Sequence, residues 1–135
     1  MNALDLFALA PFAPLAGAAV LALGAQRLAP GAVAWIACGA MGGSALLVFL
    51  AGTAFLERGA ATHTVTLGQW IAAGDLEIVA RLSLDGLSLS LAAVVAGVGF
   101  LIHVYATRYM QGDPAYGRFF AVMNLFVAAM LVLVL

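Results

Sequence analysis

The stretch GFLIHVYATRYMQGDPAYGRFF, residues 99–120, joins the end of one apolar run to the beginning of the next. The first run covers about residues 87–106, and the second begins at Phe119 and continues to Leu135. An α-helix needs roughly 20 apolar residues to cross a ~30 Å hydrocarbon core. Gly, Asp and Pro at 112–114 are typical of a turn. The stretch therefore predicts two membrane-crossing helices joined by a short polar turn.

The composition extends this interpretation to the whole chain. Of the 135 residues, 66% are hydrophobic and 8% are charged, and the mean hydropathy is +1.16. A soluble domain carries about 25% charged residues, so this chain lacks the charge to cover a surface in water. The net charge of −1 gives no reason to expect nucleic-acid binding. The single cysteine, Cys38, excludes an internal disulfide and a cysteine-based metal site.

Two further apolar runs lie at about residues 6–25 and 32–56. The first contains Pro11 and Pro14, which a helix tolerates in its first turns because the amide groups there have no intrahelical partner. A signal peptide would carry positive charge before its apolar core, whereas the preceding charge here is negative. We therefore expect a retained helix. The last run has no polar or aromatic anchor after it, so we expect the chain to be a fragment of a longer protein.

Residues 57–85 have a different pattern. THTVTLGQWI at 62–71 and DLEIVARLSLD at 75–85 alternate with period two, and AAG at 72–74 separates them. This pattern predicts a β-hairpin, with an irregular loop as the alternative. One face of the second strand is apolar, and we expect it to lie on the helix ends: Leu76, Ile78, Ala80, Leu82 and Leu84.

These patterns predict an all-α membrane protein with four transmembrane helices and a short extracytoplasmic β-hairpin between helices two and three. The expected units are a first transmembrane helix pair at 1–56, the hairpin region at 57–85, and a second pair at 86–135 that is truncated at its C-terminal end. Arg27, Arg108 and Arg118 lie in the two short turns, against two arginines on the hairpin side. The positive-inside rule then places the short turns in the cytoplasm and the N-terminus and hairpin outside.

His103 is a polar residue inside the third apolar run. At helical spacing it shares a face with small side chains that favour packing on a neighbouring helix: Ala92, Ala96 and Gly99. A polar side chain in a membrane helix is a functional candidate, and histidine can exchange a proton near physiological pH. His103 also lies close to Arg108, where it could reach a carbonyl or interfacial water. The sequence therefore allows two roles for His103, in a proton path or in helix packing.

Four other residues have structural interpretations. Asn124, inside helix four, is expected to form an interhelical hydrogen bond. Arg108 and Arg118 are expected to anchor helix ends at the lipid headgroups. Asp85 precedes the first turn of helix three, where a carboxylate can cap free amide groups.

Helix two carries a small-residue pair, Gly39 and Gly43, one turn apart. Such pairs let two backbones approach closely in lipid. In a chain this rich in Gly and Ala, such a pair also arises by chance, so close packing is one of two interpretations.

Several sequence signals for chemistry are missing. GVGFLI at 97–102 fails the dinucleotide-binding pattern because Ile102 replaces its third glycine. His63 stands alone in the hairpin region, without a cluster of metal ligands around it in the sequence. No apolar run has an acidic residue or a lysine in its middle, where an ion pump holds its ion. We therefore predict no catalytic, cofactor-binding or metal-binding residue in this chain.

Residues 82–135 carry a more specific signal in five short elements: LDGLS at 84–88, GVGFLIH at 97–103, YM at 109–110, RFF at 118–120 and NLF at 124–126. In this segment the chain closely resembles the start of subunit L of bacterial NADH:quinone oxidoreductase, respiratory complex I, which is chain 5 in mitochondria. Residues 1–81 resemble the same family more loosely, as a helix pair followed by a β-hairpin.

The resemblance implies an antiporter-like subunit that couples quinone reduction to proton transport in a bacterial inner membrane. It implies other membrane subunits of complex I and the lipid bilayer as partners. NADH, FMN, iron–sulfur clusters and quinone are then expected in partner subunits. The family's proton-carrying glutamate and lysines are expected on helices beyond residue 135.

The sequence also allows two alternative functions. The chain could belong to the large subunit of a cation/proton antiporter or a related hydrogenase complex, which are built from the same module. It could also be a truncated, non-transporting scaffold that packs against partner helices.

Overall fold

The computed structural model describes residues 3–24, 27–73 and 76–135. In chain order the elements are a 3₁₀ helix (Ala3–Leu9), α1 (Phe12–Gly24), α2 (Pro30–Glu57), β1 (His63–Ala73), β2 (Leu76–Leu84), α3 (Gly86–Tyr109) and α4 (Tyr116–Val134). Within these residues, four segments are long and apolar enough to cross a membrane: Leu4–Gly24, Pro30–Glu57, Gly86–Tyr109 and Tyr116–Val134. The prediction of a mostly helical chain with four long apolar helices is confirmed.

The first apolar segment is interrupted at its proline residues. The 3₁₀ helix ends at Leu9, and the Ala10 N–H donates to the Phe7 carbonyl at 3.0 Å. Proline has no amide hydrogen, so Pro11 lies between the two helices and Pro14 lies in the first turn of α1. The predicted end of this helix at Ala25 lies outside the described residues.

The helices α3 and α4 are longer than their apolar runs, so Arg108 and Arg118 lie in helices. The expectation that both arginines belong to the turn is wrong, because arginine is a good helix former and continues the helix beyond the apolar residues. The turn itself is short. Gly112 has φ +90°, and the Asp113 carboxylate accepts a hydrogen bond from the Ala115 N–H at 2.7 Å.

The predicted hairpin is present, and the alternative of an irregular loop is wrong. β1 and β2 pair antiparallel from His63↔Leu84 to Ala73↔Leu76, with two register shifts in β1. One shift lies at Gly68, whose φ of +141° favours glycine.

The hairpin packs against the helices through its base. Leu82 and Leu84 are buried in a cluster that also contains Leu4, Phe7, Ala8, Ala51 and Phe55. Ile78, on the same apolar face, is 44% exposed. The apolar face of β2 is therefore covered near its end and exposed further along.

The four helices form a bundle in which α2 packs against all three others, and α4 also packs against α1 and α3. A middle cluster contains Met41, Ala96 and Val127. A cluster at the end opposite the hairpin contains Leu21, Ala37 and Phe120. Large apolar side chains also cover the outside, for example Leu23 at 90% and Leu133 at 86% exposure. An apolar exterior of this kind fits a lipid environment or further helices.

Candidate functional site

The interior of the bundle is mostly small and apolar, but it encloses a few polar side chains. Among the described residues, the buried polar ones are Ser44, Ser88, His103 and Asn124. A buried polar group without a hydrogen bond is costly. Each of these residues therefore needs an explanation in terms of its partners.

Ser44 satisfies a carbonyl that the sequence leaves without an amide partner. In a regular helix the Ala10 carbonyl would accept from the amide of residue 14, but Pro14 has none. The Ser44 hydroxyl on α2 donates to this carbonyl at 2.7 Å, and Ser44 is fully buried. Sequence reasoning missed Ser44, although the spacing between Ala10 and Pro14 was the available signal.

His103 is fully buried on the inner face of α3, together with Ala92, Ala96 and Gly99. Its Nδ1 is 2.7 Å from the Gly99 carbonyl, which can only accept, so Nδ1 carries the hydrogen. In the neutral ring Nε2 is then a bare acceptor, and among the described residues it has no hydrogen-bond partner. The ring packs against Phe120 with a centroid distance of 5.9 Å.

Asn124 is fully buried on α4. Its Nδ2 donates to the Phe120 carbonyl at 3.0 Å on the same helix. Its Oδ1 has no hydrogen-bond partner among the described residues. The sequence suggested a hydrogen bond from Asn124 to another helix. Among the described residues, Asn124 bonds only within α4.

The Asn124 amide lies where three helices approach closely. A Cβ built on Gly17 of α1 would lie 2.6 Å from the Ala40 Cβ of α2 and 3.3 Å from Asn124 Oδ1. Any side chain at position 17 would therefore overlap α2 or the Asn124 amide. Gly99 makes a similar approach, with a built Cβ 3.2 Å from the Met41 methyl carbon.

The glycine pair proposed from the sequence is not at such a contact. Apart from the adjoining backbone of α2 itself, no described atom lies within 4 Å of a Cβ built on Gly39 or Gly43. Close packing through this pair is thus not found, because the two glycines face away from the helices that α2 contacts. The tight approach lies instead at Gly17, which the sequence did not single out.

A second set of polar contacts joins the base of the hairpin to the ends of the helices. His63 Nε2 lies 2.9 Å from Asp5 Oδ1, so His63 has a partner and does not stand alone. The Ser83 N–H donates to the Leu135 carbonyl at 2.7 Å, and the Ser88 hydroxyl donates to the Ser83 carbonyl at 3.1 Å.

Asp85 caps α3, as its position suggested. Its carboxylate accepts from the Ser88 N–H at 2.7 Å, and the Ser88 hydroxyl accepts from the Asp85 N–H at 2.8 Å. This reciprocal arrangement is a capping box. The hydrogen bond from the Ser88 amide lowers the pKa of the Asp85 carboxyl below its usual value.

The opposite end of the bundle is basic and rich in exposed aromatic rings. Arg108, in the last turn of α3, and Arg118, in the first turn of α4, are both exposed. Tyr105 and Tyr109 stack with ring centroids 5.7 Å apart on the outside of α3. The placement of the two arginines fits anchoring at headgroups, a role that stays a prediction.

Across residues 3–24, 27–73 and 76–135, no group of three or more His, Cys, Asp or Glu side chains is arranged to hold a metal ion. Cys38 is a free, partly buried thiol on α2.

Four apolar helices with an apolar exterior define the chain as a multi-pass membrane protein. The family model for the N-terminus of chain 5 of NADH-ubiquinone oxidoreductase, complex I, matches residues 70–120, which run from the hairpin into α4. NADH-quinone oxidoreductase subunit L of Escherichia coli is 43% identical over 132 residues, which cover 98% of this chain and 22% of that protein. Subunit L of Pseudomonas aeruginosa is 44% identical over 126 residues, which cover 90% of this chain and 20% of that protein.

The chain belongs to the family of complex I subunit L and chain 5. NAD(P)H-quinone oxidoreductase chain 5 of a Picosynechococcus species is 38% identical over 77 residues, which cover 57% of this chain and 11% of that protein. The chain spans about a fifth of the length of the two subunit L relatives.

Proposed function

We propose that this chain is part of the antiporter-like, proton-translocating subunit of an NADH:quinone oxidoreductase. The observation that carries the proposal is the similarity to subunit L, which extends over nearly the whole chain. The apolar four-helix bundle supports it, because a subunit of the membrane part must cross the bilayer several times.

Within the complex, we expect this segment to support transport by positioning helices. His103 and Cys38 are the ionisable side chains in the middle of the described helices, and acidic and lysine side chains are absent there. A pathway for protons needs several ionisable groups or waters in sequence. NADH, FMN, iron–sulfur clusters and quinone would bind to partner subunits, and we expect no catalytic residue in this segment.

Deleting the coding region for this chain in its native host tests the function. We expect membrane vesicles to lose proton uptake driven by NADH, measured by quenching of a pH-sensitive dye. Proton uptake driven by ATP hydrolysis is the control for vesicle integrity. If NADH-driven uptake were unchanged and sodium/proton exchange were lost, the chain would belong to a cation/proton antiporter instead.

The orientation proposal has a separate support and a separate test. Arg27, Arg108 and Arg118 lie at one end of the bundle, and acidic residues outnumber arginines at the hairpin end. We propose that the arginine-rich end is cytoplasmic and that the hairpin and N-terminus are extracytoplasmic. In a Cys38→Ala background, Gln69→Cys should react with an impermeant maleimide added to whole cells, and Gln111→Cys should not. The reverse pattern would invert the topology.

A further inference from the structure

We infer that the core of the bundle binds a water molecule at His103 Nε2 and Asn124 Oδ1. Both side chains are fully buried, and neither atom has a hydrogen-bond partner among the described residues. This water site would lie in the interior of the chain itself, and it does not depend on the proposed function.

The two atoms need the same kind of partner. Nδ1 of His103 donates to Gly99, so Nε2 of the neutral ring can only accept. Asn124 donates through Nδ2 to Phe120, so the remaining amide atom, Oδ1, also only accepts. Two acceptors cannot bond to each other. Both need a donor.

Among the described residues, no side-chain donor bonds to either acceptor. The Ser44 hydroxyl donates to the Ala10 carbonyl, and the Asn124 amide donates to the Phe120 carbonyl. His103 Nε2 and Asn124 Oδ1 therefore remain as two acceptors without a bonded donor among the described residues. A water molecule has two O–H donors, which is the number required. Buried waters in proteins commonly bond to polar groups that would otherwise be unsatisfied.

The two acceptors lie on neighbouring helices around one residue. Phe120 contacts the His103 ring with its own ring, and its carbonyl accepts from the Asn124 amide. A glycine lies beside each acceptor: Gly99 precedes His103 by one turn, and a Cβ built on Gly17 would lie 3.3 Å from Asn124 Oδ1.

One other source could supply the donor, namely a proton bound to His103. An imidazolium Nε2–H could donate directly to Asn124 Oδ1. A density map of the intact complex at a resolution that shows ordered water distinguishes the two. We expect a peak about 2.7–3.2 Å from both Nε2 and Oδ1. Direct contact between Nε2 and Oδ1, or apolar atoms alone around both acceptors, would overturn the proposal of a water.

Substitutions provide a second test through the stability of the complex in lipid nanodiscs. His103→Phe keeps a ring against Phe120 and removes both nitrogens, and Asn124→Leu keeps a similar volume and removes the amide. Each should shift the unfolding equilibrium about tenfold towards the unfolded state, since each leaves the other acceptor without a complete hydrogen-bond network. The double variant should shift it by less than the product of the two, because both remove the same site.

Ser90→Ala is the matched control. The Ser90 hydroxyl bonds to the Gly86 carbonyl four residues earlier, as His103 and Asn124 bond to theirs, but Ser90 is exposed. This variant should stay within about twofold of the parent protein. The proposal is overturned if either single core variant is as stable as the parent or more stable, or if the two effects simply multiply.

Discussion

The bundle interior and the hairpin base both contain hydrogen-bonded polar side chains, but they differ in how closely the backbones approach. In the interior, Gly17 brings α1 so close to α2 that a built Cβ lies 2.6 Å from Ala40 Cβ. At the hairpin base, the His63–Asp5 pair is between a quarter and a third exposed. Rigid packing in the interior leaves neighbouring atoms little room to adjust to a substitution. At the partly exposed hairpin base, water can form hydrogen bonds in place of a lost side chain. Changes in the interior should therefore cost more.

The largest effect is expected from Gly17→Ala. The added methyl group would overlap Ala40 Cβ, which belongs to the rigid part of another helix, so one backbone must move. Forcing extra volume into a packed core costs about 3 kcal/mol at the upper end of the usual range. Thermal unfolding of the complex in nanodiscs measures this loss.

Gly39→Ala is the control for that comparison, since apart from the adjoining backbone of α2 no described atom lies within 4 Å of its built Cβ. It should change stability by less than about 1 kcal/mol, because alanine favours the helix and meets no neighbour. Equal losses in the two variants would show that packing at Gly17 is not the cause.

A smaller loss is expected from Ser44→Ala. Removing the hydroxyl leaves the buried Ala10 carbonyl without a donor, because Pro14 cannot supply one. An unsatisfied buried acceptor costs about 2 kcal/mol. Ser44→Thr keeps a hydroxyl and should recover part of the loss. If Ser44→Ala unfolded at the parent temperature, the hydrogen bond to Ala10 would contribute nothing to stability.

The same comparison shows which features the sequence could predict. The four helices and the hairpin follow from hydrophobic runs and from period-two alternation, which are local properties. The cap at Asp85 is also local, because donor and acceptor are three residues apart. Local patterns therefore located the elements. They missed that α3 continues to Tyr109 and that α4 begins at Tyr116, because charged residues such as Arg108 and Arg118 can continue a helix.

The contacts between helices depended on information that is not local. Gly17 and Gly39 look alike in the sequence, and only the rotation of each helix decides which one meets a neighbour. The Ser44–Ala10 bond joins residues 34 positions apart. The His63–Asp5 pair joins residues 58 positions apart, which is why His63 appeared to stand alone.

The smallest effect is expected at the hairpin end, from the cap of α3. The folded state stabilises the Asp85 carboxylate, since the Ser88 amide donates to it and lowers its pKa. The stabilisation is complete above the ordinary aspartate pKa of about 3.9. It is lost as the pH falls from that value through the lower pKa of the folded state. The protection of the Ser88 amide against hydrogen exchange, corrected for the intrinsic rate at each pH, should fall over that range.

Two substitutions separate the cap from its charge. Asp85→Asn keeps a side-chain acceptor but cannot ionise, so Ser88 protection should become independent of pH between about 5 and 3. Asp85→Ala removes the acceptor, so protection should be low at every pH. If Asp85→Asn showed the same acid-dependent loss as the parent protein, another carboxyl group would control the first turn of α3. The cap would then depend on the packing of the hairpin base rather than on its own hydrogen bond.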